Sequence, residues 1–296
     1  MEIIFLGTGQ AVPTAQRNHT AILLKYENEN ILVDCGEGTQ RQFRKAGLNP
    51  CKLTKLLITH WHGDHILGIP GLLQTLALNN YSNTLDVYGP RGTKRYMDMI
   101  LGMFVFEGKI DLKIHEIEEG VFYDNKFILE AFPLEHGAPT LAYSFIEKEK
   151  KRIDMKKAKK LGLKAGPLIG ELQRGKAIKL GKKTIKFSDI GYVEKGKKIS
   201  FIFDTRICRE CVDAAKDADL VISEATYTEE MKDKASEYKH LTAAQAASIA
   251  KKAKAKKLYL SHISQRHEKE FSKVLGEARK VFKNTWIAED LMKIEV

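Results

Sequence analysis

The chain has 296 residues, 43% of them hydrophobic, enough for one large core or two smaller ones. No apolar run reaches the length of a membrane span, and Met1–Gly7 reads as a first strand instead of a signal peptide, so a soluble, cytoplasmic protein is expected. The net charge of +11 is concentrated: residues 148–198 carry 18 Lys and Arg against 5 Asp and Glu, and the remainder is close to neutral.

In chain order, short apolar runs predict strands at Glu2–Leu6, Ala21–Tyr26 and Ile31–Asp34, then a helix at Glu37–Ala46. A strand at Lys55–Thr59 is followed by a helix at Ile69–Leu78, a strand at Leu85–Tyr88 and a helix at Thr93–Met103. Further strands are expected at Lys113–Ile117, Phe127–Pro133 and Leu141–Ile146. The basic segment reads as a helix at Ile153–Leu161, a turn, a short helix at Leu168–Leu172 and a hairpin strand at Lys179–Phe187, with a thin core and the character of a mobile, projecting arm. Strand and helix then alternate: strands at Ile199–Phe203, Leu220–Ser223 and Lys257–Leu260, helices at Cys208–Ala218, Thr242–Ala255 and Glu268–Phe282, and Trp286–Ile294 closing the sheet. The expected fold class is therefore α/β, a mixed sheet in two comparable halves with helices outside, forming one domain over 1–296 with an insert at 148–198.

The densest chemistry is Thr59-His60-Trp61-His62-Gly63-Asp64-His65. His-x-His sets two imidazoles within reach of one cation, and Asp-His offers a carboxylate and a third imidazole to a second. Outside it, His136, Asp204 and His262 each stand just past an apolar strand. Two-metal hydrolysis needs such a set, with a shared carboxylate and a place left for water. The four cysteines are too few for a disulfide scaffold. Cys208-x-x-Cys211 lacks the second pair of a zinc ribbon, since fifteen residues separate Cys35 from Cys51, and it reads as small residues in a first helical turn, with a redox role as the alternative.

This pattern resembles the metallo-β-lactamase superfamily, and within it the short form of ribonuclease Z, the tRNA 3′-processing endoribonuclease, over almost the full length. The resemblance implies an αβ/βα sandwich of two mixed sheets packed face to face, with a protruding basic arm. It implies two zinc ions, one held by His60, His62 and His136, the other by Asp64, His65 and His262, with Asp204 bridging and Asp34 orienting the ligands. Pro13-Thr14-Ala15-Gln16-Arg17-Asn18, Ser223-Glu224-Ala225-Thr226 and His240-Leu241-Thr242-Ala243 are similar to further motifs of that branch. Ser223 stands where many relatives carry His, and Ala15-Gln16 where a lysine often appears.

By the same resemblance, Asp64 orients the nucleophile and His240 protonates the leaving 3′-oxygen, with Glu224 holding its ring. Arg17 and Asn18 near the acceptor end, and Lys156, Lys157, Lys159, Lys160, Lys164, Arg174 and Lys176 in the arm, are the expected RNA contacts. Phe187 and Tyr192 are the arm's only aromatics, so backbone and duplex shape are its expected targets. The implied partners are precursor tRNA and a second copy of the chain, with no membrane, and the segment Gly71–Asn80 reads as either interface or core. The competing readings are a small-molecule hydrolase of the same superfamily (phosphodiesterase, thioesterase or arylsulfatase-like) and a non-catalytic RNA-binding protein; the first shares the metal motifs but has no use for the basic insert, and the second has no reason to keep every ligand position.

Overall fold

Strands that are apolar on both faces build two sheets that share one core. The structure, a computed structural model, describes residues 1–105, 110–181 and 183–296. It divides into two compact units, Met1–Phe145 with Lys198–Val296, and Ile146–Lys197.

In the larger unit, one sheet has seven strands among the described residues, in the order Lys293–Glu295, Glu2–Gly7, Ala21–Tyr26, Glu29–Val33, Lys55–Leu57, Thr84–Gly89 and Asp111–Glu116. The first three pairings are antiparallel and the last three parallel. The other sheet runs Thr285–Ile287, Leu258–Ser261, Leu220–Glu224, Lys198–Ile202, Thr140–Glu147, Phe127–Leu134 and Gly120–Asp124, its first three pairings parallel.

Alternate residues face inward and meet across the two sheets. Ile3, Phe5, Ile22, Leu24, Ile31 and Val33 pack against Phe127, Leu129, Tyr143, Phe145, Phe201 and Ile222. The opposite face of the first sheet, with Ile4, Leu6, Leu23 and Leu32, is covered by Phe43, Leu72, Leu76 and Met97 from the helices Thr39–Lys45, Ile69–Leu78 and Thr93–Met103. The outer face of the second sheet is covered by Ala-rich helices at Arg209–Ala215, Ala243–Lys252 and Phe271–Val281. Small residues there let the helices lie close to the sheet. The expected sandwich is the architecture found.

One expectation needs correction, one strand was not read from the sequence, and one open alternative resolves to core. Trp286–Ile294 is not one strand closing one sheet. Ala288 still donates to Leu260 of the second sheet, and three residues later Leu291, at φ 67°, donates to Phe5 of the first. The chain thus crosses between sheets, and Thr285–Ile287 and Lys293–Glu295 edge different ones. Gly120–Asp124 is an edge strand whose short, acidic-flanked sequence gave no strand signal. The segment Gly71–Asn80 is mainly the helix Ile69–Leu78, whose Leu72, Leu73 and Leu76 are core, leaving Leu78 exposed.

The smaller unit has helices at Met155–Lys160 and Pro167–Gln173 and a hairpin of Ile178–Leu180 with Lys183–Ile185; Lys182, within the predicted hairpin, lies outside the described residues. A second ribbon, Lys150–Ile153 with Gly191–Glu194, was not read from the sequence. Ile153, Ala158, Leu163, Leu172, Ile178, Ile185 and Ile190 bury one another, so the insert has a core of its own. Asp154 caps the first helix through the Lys156 and Lys157 amides.

Candidate active site

The site is assembled at the carboxyl ends of strands, where an α/β sheet leaves its crevice. Asp34 follows Glu29–Val33, His60 follows Lys55–Leu57, His136 follows Phe127–Leu134, Asp204 follows Lys198–Ile202, and His262 follows Leu258–Ser261. Asp34, Asp204 and His262 all take left-handed backbone angles, with φ of 57°, 47° and 52°. Such turns cost on the order of 1 kcal/mol each for a residue with a side chain, and they swing the side chain off the strand toward the crevice.

Asp64 and His65 lie on the one-turn helix Gly63–Ile66. The loop after Asp34 grips it: Cys35 N–H donates to the His65 carbonyl at 2.8 Å, and Gly68 N–H donates to the Cys35 carbonyl at 2.9 Å. Gly36 sits so close that an added Cβ would come within 2.5 Å of the Asp64 carbonyl oxygen. No side chain fits there without moving the ligand loop.

Two groups of metal-ligating atoms result. His60, His62, His136 and Asp204 form one, and Asp64, His65, His262 and Asp204 the other, with the ligand atoms of each within 4.8 Å of one another. His65 Nε2 faces His262 Nε2 at 3.1 Å, and His136 Nε2 faces His62 Nδ1 at 3.2 Å. Buried His60 Nε2 and Asp204 Oδ1 make no hydrogen bond at all. Converging nitrogen lone pairs and unbonded buried acceptors are what a divalent cation satisfies, so the donor set fits a metal.

The opposite ring nitrogens are fixed from behind. His65 Nδ1 donates to Asp34 at 2.7 Å, His136 Nδ1 to the Lys239 carbonyl at 3.0 Å, His262 Nδ1 to Thr226 at 3.0 Å, and His60 Nδ1 to Thr59 at 3.1 Å. Each bond leaves the lone pair pointing inward. Asp34 in turn accepts from Thr59 N–H and Oγ1, both at 2.8 Å.

Electrostatics agree with a cation site. Burial opposes ionisation of Asp204 and Asp64. For Asp204 the charges of His262, His65 and His60 more than offset it, and for Asp64 hydrogen bonds from His262 and His65 do, so both stay well below the usual carboxylate range. Burial also opposes charge on His65, but Asp204 and Asp34 raise it well above an ordinary histidine. His60 is pulled down to about 4 by burial and by His65. A metal would take the place of the proton shared here.

Beside the metal cluster, Glu224 is fully buried and accepts four donors: Thr205 N–H at 2.6 Å, Thr226 Oγ1 at 2.7 Å, His240 Nδ1 at 3.0 Å and Leu241 N–H at 3.2 Å. Glu224, His240 and His262 also cluster like ligands. Glu224 takes three of these donors on Oε2 and one on Oε1, and it meets His240 as a hydrogen-bond acceptor, so we read this third group as a hydrogen-bond relay. His240, Asp64, His62, His136 and Asp204 line one cleft of about 340 Å³, with Gln10, Ala11 and Tyr238 at its walls.

Full-length comparison decides the family. A ribonuclease Z of Methanothermobacter thermautotrophicus is 42% identical over 298 residues, covering 100% of this chain and 97% of that protein. The chain belongs to the ribonuclease Z family. The crystal structure of human tRNase Z, short form, superposes with a TM-score of 0.73 at 30% identity, covering 100% of this chain and 99% of that one. The metallo-β-lactamase fold protein YhfI of Bacillus subtilis superposes at 0.72 with 18% identity, over 100% and 99% of the two chains, a likeness of fold alone. The family model of the anti-Pycsar protein Apyc1 matches residues 1–97. That third of the chain holds Asp34 and His60–His65 but stops before His136, Asp204, Glu224, His240 and His262. As a ribonuclease Z the chain is a hydrolytic endoribonuclease, and among its described residues no helix is long and apolar enough to cross a membrane.

For this ribonuclease Z, the structure brings every ligand-type residue singled out in the sequence into one crevice, with Asp34 behind them. It gives Arg17 a different job from RNA contact. Arg17 is 5% exposed, donates to Thr8 Oγ1 and the Ala288 carbonyl, both at 2.7 Å, and lies over the Phe271 ring. Asn18 is half-buried and donates its backbone N–H to Asp290 and its side-chain amide to Glu37 O. Both residues tie down the loop 10–17. Lys156, Lys157, Lys159, Lys160, Lys164, Arg174 and Lys176 are exposed, and none pairs with a carboxylate among the described residues. Sequence reasoning gave no role to Thr59, whose signal is its place next to His60, or to Thr226, which links His262 to Glu224 and stands next to no ligand in the sequence.

Proposed function

We propose that the enzyme removes the 3′ trailer from precursor tRNA, cutting the phosphodiester after the discriminator nucleotide and leaving a tRNA 3′-hydroxyl and a 5′-phosphate trailer. The observation that carries this reading is the relay Glu224–His240 opening into the same cleft as the two ligand groups, in a chain of this family. We assign two Zn²⁺ to those groups: His60, His62 and His136 hold one, Asp64, His65 and His262 the other, and Asp204 serves both. Zinc so held supplies Lewis acidity and lowers the pKa of water to near neutral.

The side chains do the rest. Asp64 reaches the cleft and orients the attacking water. Asp34, Thr59 and Thr226 hold the imidazoles in the tautomers that face inward. His240 has its Nδ1 on Glu224, leaving Nε2 to give a proton to the departing 3′-oxygen.

The basic unit Ile146–Lys197 grips the tRNA body through phosphates. Replacing Lys156, Lys157, Lys159 and Lys160 together by Ala is expected to raise KM for precursor by about 100-fold and flatten its salt dependence. Hydrolysis of bis(p-nitrophenyl) phosphate should be unchanged. Equal loss of both activities contradicts a separate substrate grip, and no change in either contradicts the arm's assignment.

A homodimer in the cytoplasm completes the proposal. Tyr96, Met99, Met103 and Phe104 recur along the helix Thr93–Met103 and its end at spacings of three, four and one, all at least 39% exposed. An apolar stripe of this kind suits a second copy. Met99→Glu with Met103→Glu is expected to give a monomer by sedimentation; an unchanged dimer places the interface elsewhere, and a monomeric wild type removes it.

A further inference from the structure

We propose that Cys208 and Cys211 form a thiol–disulfide site that reacts with hydroperoxides, and that its closure slows turnover through Thr205. The clause on turnover rests on the ribonuclease reading; the site itself does not.

The two sulfurs lie 3.2 Å apart in the reduced chain. Cys208 is half-buried at the N-cap of the helix Arg209–Ala215, and Cys211 is fully buried one turn on. One thiol therefore meets solvent while its partner waits behind it. The geometry is selective. Cys35 is sealed in the core, its thiol pushed up to about 12 by burial, and Cys51 bonds to the Asn79 carbonyl. Cys208, by contrast, is held below an ordinary thiol, mainly by its hydrogen bond with Cys211, which favours its thiolate.

The chemistry balances without a further reactant. The Cys208 thiolate attacks the outer oxygen of a hydroperoxide, the O–O bond breaks, and an alcohol or water leaves with a sulfenic acid on Cys208. Cys211 then attacks that sulfur and expels water. Two thiols and one hydroperoxide give one disulfide, one alcohol or water, and one water, with two electrons passing from sulfur to oxygen.

What joins this pair to the active site is Thr205. It follows Asp204, donates its N–H to Glu224 at 2.6 Å, and accepts from Glu135 N–H, the neighbour of His136, at 3.2 Å. Its hydroxyl lies 3.9 Å from Cys208 Sγ, and Cys211 Sγ lies 3.9 Å from the Arg206 carbonyl. A disulfide of about 2.05 Å draws the sulfurs together by roughly 1 Å. That movement is taken up in the three residues 205–207 between Asp204 and Cys208. Asp204 and Glu224, the partner of His240, thus both meet at Thr205, which lies against Cys208.

The test treats reduced, metal-loaded enzyme with a few equivalents of hydrogen peroxide, then measures intact mass, maps the peptide holding residues 208–211, and assays cleavage before and after dithiothreitol. A 2 Da loss mapped to Cys208–Cys211, with turnover reduced about tenfold and restored by reductant, is the result expected. Cys208→Ser should keep full basal turnover and resist peroxide. Oxygen adducts without a disulfide overturn the site. A disulfide with unaltered turnover, or equal peroxide sensitivity in Cys208→Ser, overturns the coupling. If the reduced enzyme cuts no tRNA precursor, the function reading fails while the mass result still decides the site.

Discussion

Replacing Asp204 with alanine is expected to abolish cleavage and strip the metal. Asp204 is 2% exposed, and its carboxylate lies between 3.3 and 3.8 Å from ring nitrogens of four histidines, His60, His65, His136 and His262. It is the one group common to both ligand sets. Its loss removes a ligand from each and leaves the buried imidazoles without the anion that balances a cation there. We expect turnover to fall by roughly 10⁴ or more, the scale of deleting an essential member of a catalytic unit. Metal analysis on the same preparation should give well under one ion per chain. A variant that keeps both ions and cleaves normally would remove Asp204 from the centre.

His240→Ala is the second large effect, and it should separate chemistry from metal binding. His240 Nδ1 is committed to Glu224, and His240 stands outside the two ligand groups that share Asp204, so the ring is not needed to hold an ion there. Turnover should drop by about 10²–10⁴, the usual contribution of a positioned general acid, with metal content unchanged. Burial disfavours the imidazolium, but Glu224, Asp204 and Asp64 outweigh it and raise the ring to about 9. Cations bound to Asp204 and Asp64 neutralise two of those three charges and lower that value toward neutrality. The acid form is the active one, so wild-type turnover should fall on the alkaline side as the ring loses its proton. His240→Ala should lose that alkaline limb. Glu224→Gln, which keeps a hydrogen-bond partner but removes the charge, should shift the limb to lower pH. Loss of metal in His240→Ala, or an alkaline limb that survives the substitution, contradicts the acid assignment.

The crevice was legible in the sequence because three of the ligands follow a short apolar run that reads as a buried strand: Leu56-Leu57-Ile58 before His60, Phe201-Ile202-Phe203 before Asp204, Leu258-Tyr259-Leu260 before His262. Period and ligand chemistry coincide there. What aims the ligands was not legible. The left-handed turns at Asp34, Asp204 and His262 leave no mark on composition, because Asp and His are common at strand ends in any conformation. Thr59 and Thr226 each act through one hydroxyl that joins two partners, which spacing does not encode. Arg17 misled for a related reason. A cation in a motif loop reads as a phosphate contact until the fold brings Ala288, 271 residues away, against its guanidinium. Trp286–Ile294 is apolar at both ends and reads as one closing segment, and the turn at Leu291 divides it between sheets. The insert looked thin because its seven core residues are scattered among lysines, and contact between distant isoleucines such as Ile153, Ile185 and Ile190 is a tertiary fact.

The most direct measurement is cleavage of a 3′-extended tRNA precursor by the purified, metal-loaded enzyme, with both new ends mapped and Asp64→Ala run alongside. A single cut after the discriminator, leaving a tRNA 3′-hydroxyl and a 5′-phosphate trailer and lost in the variant, is the result predicted. An intact precursor together with turnover of a small phosphodiester or thioester would contradict it, leaving the metal crevice in place but assigning it to a small-molecule substrate.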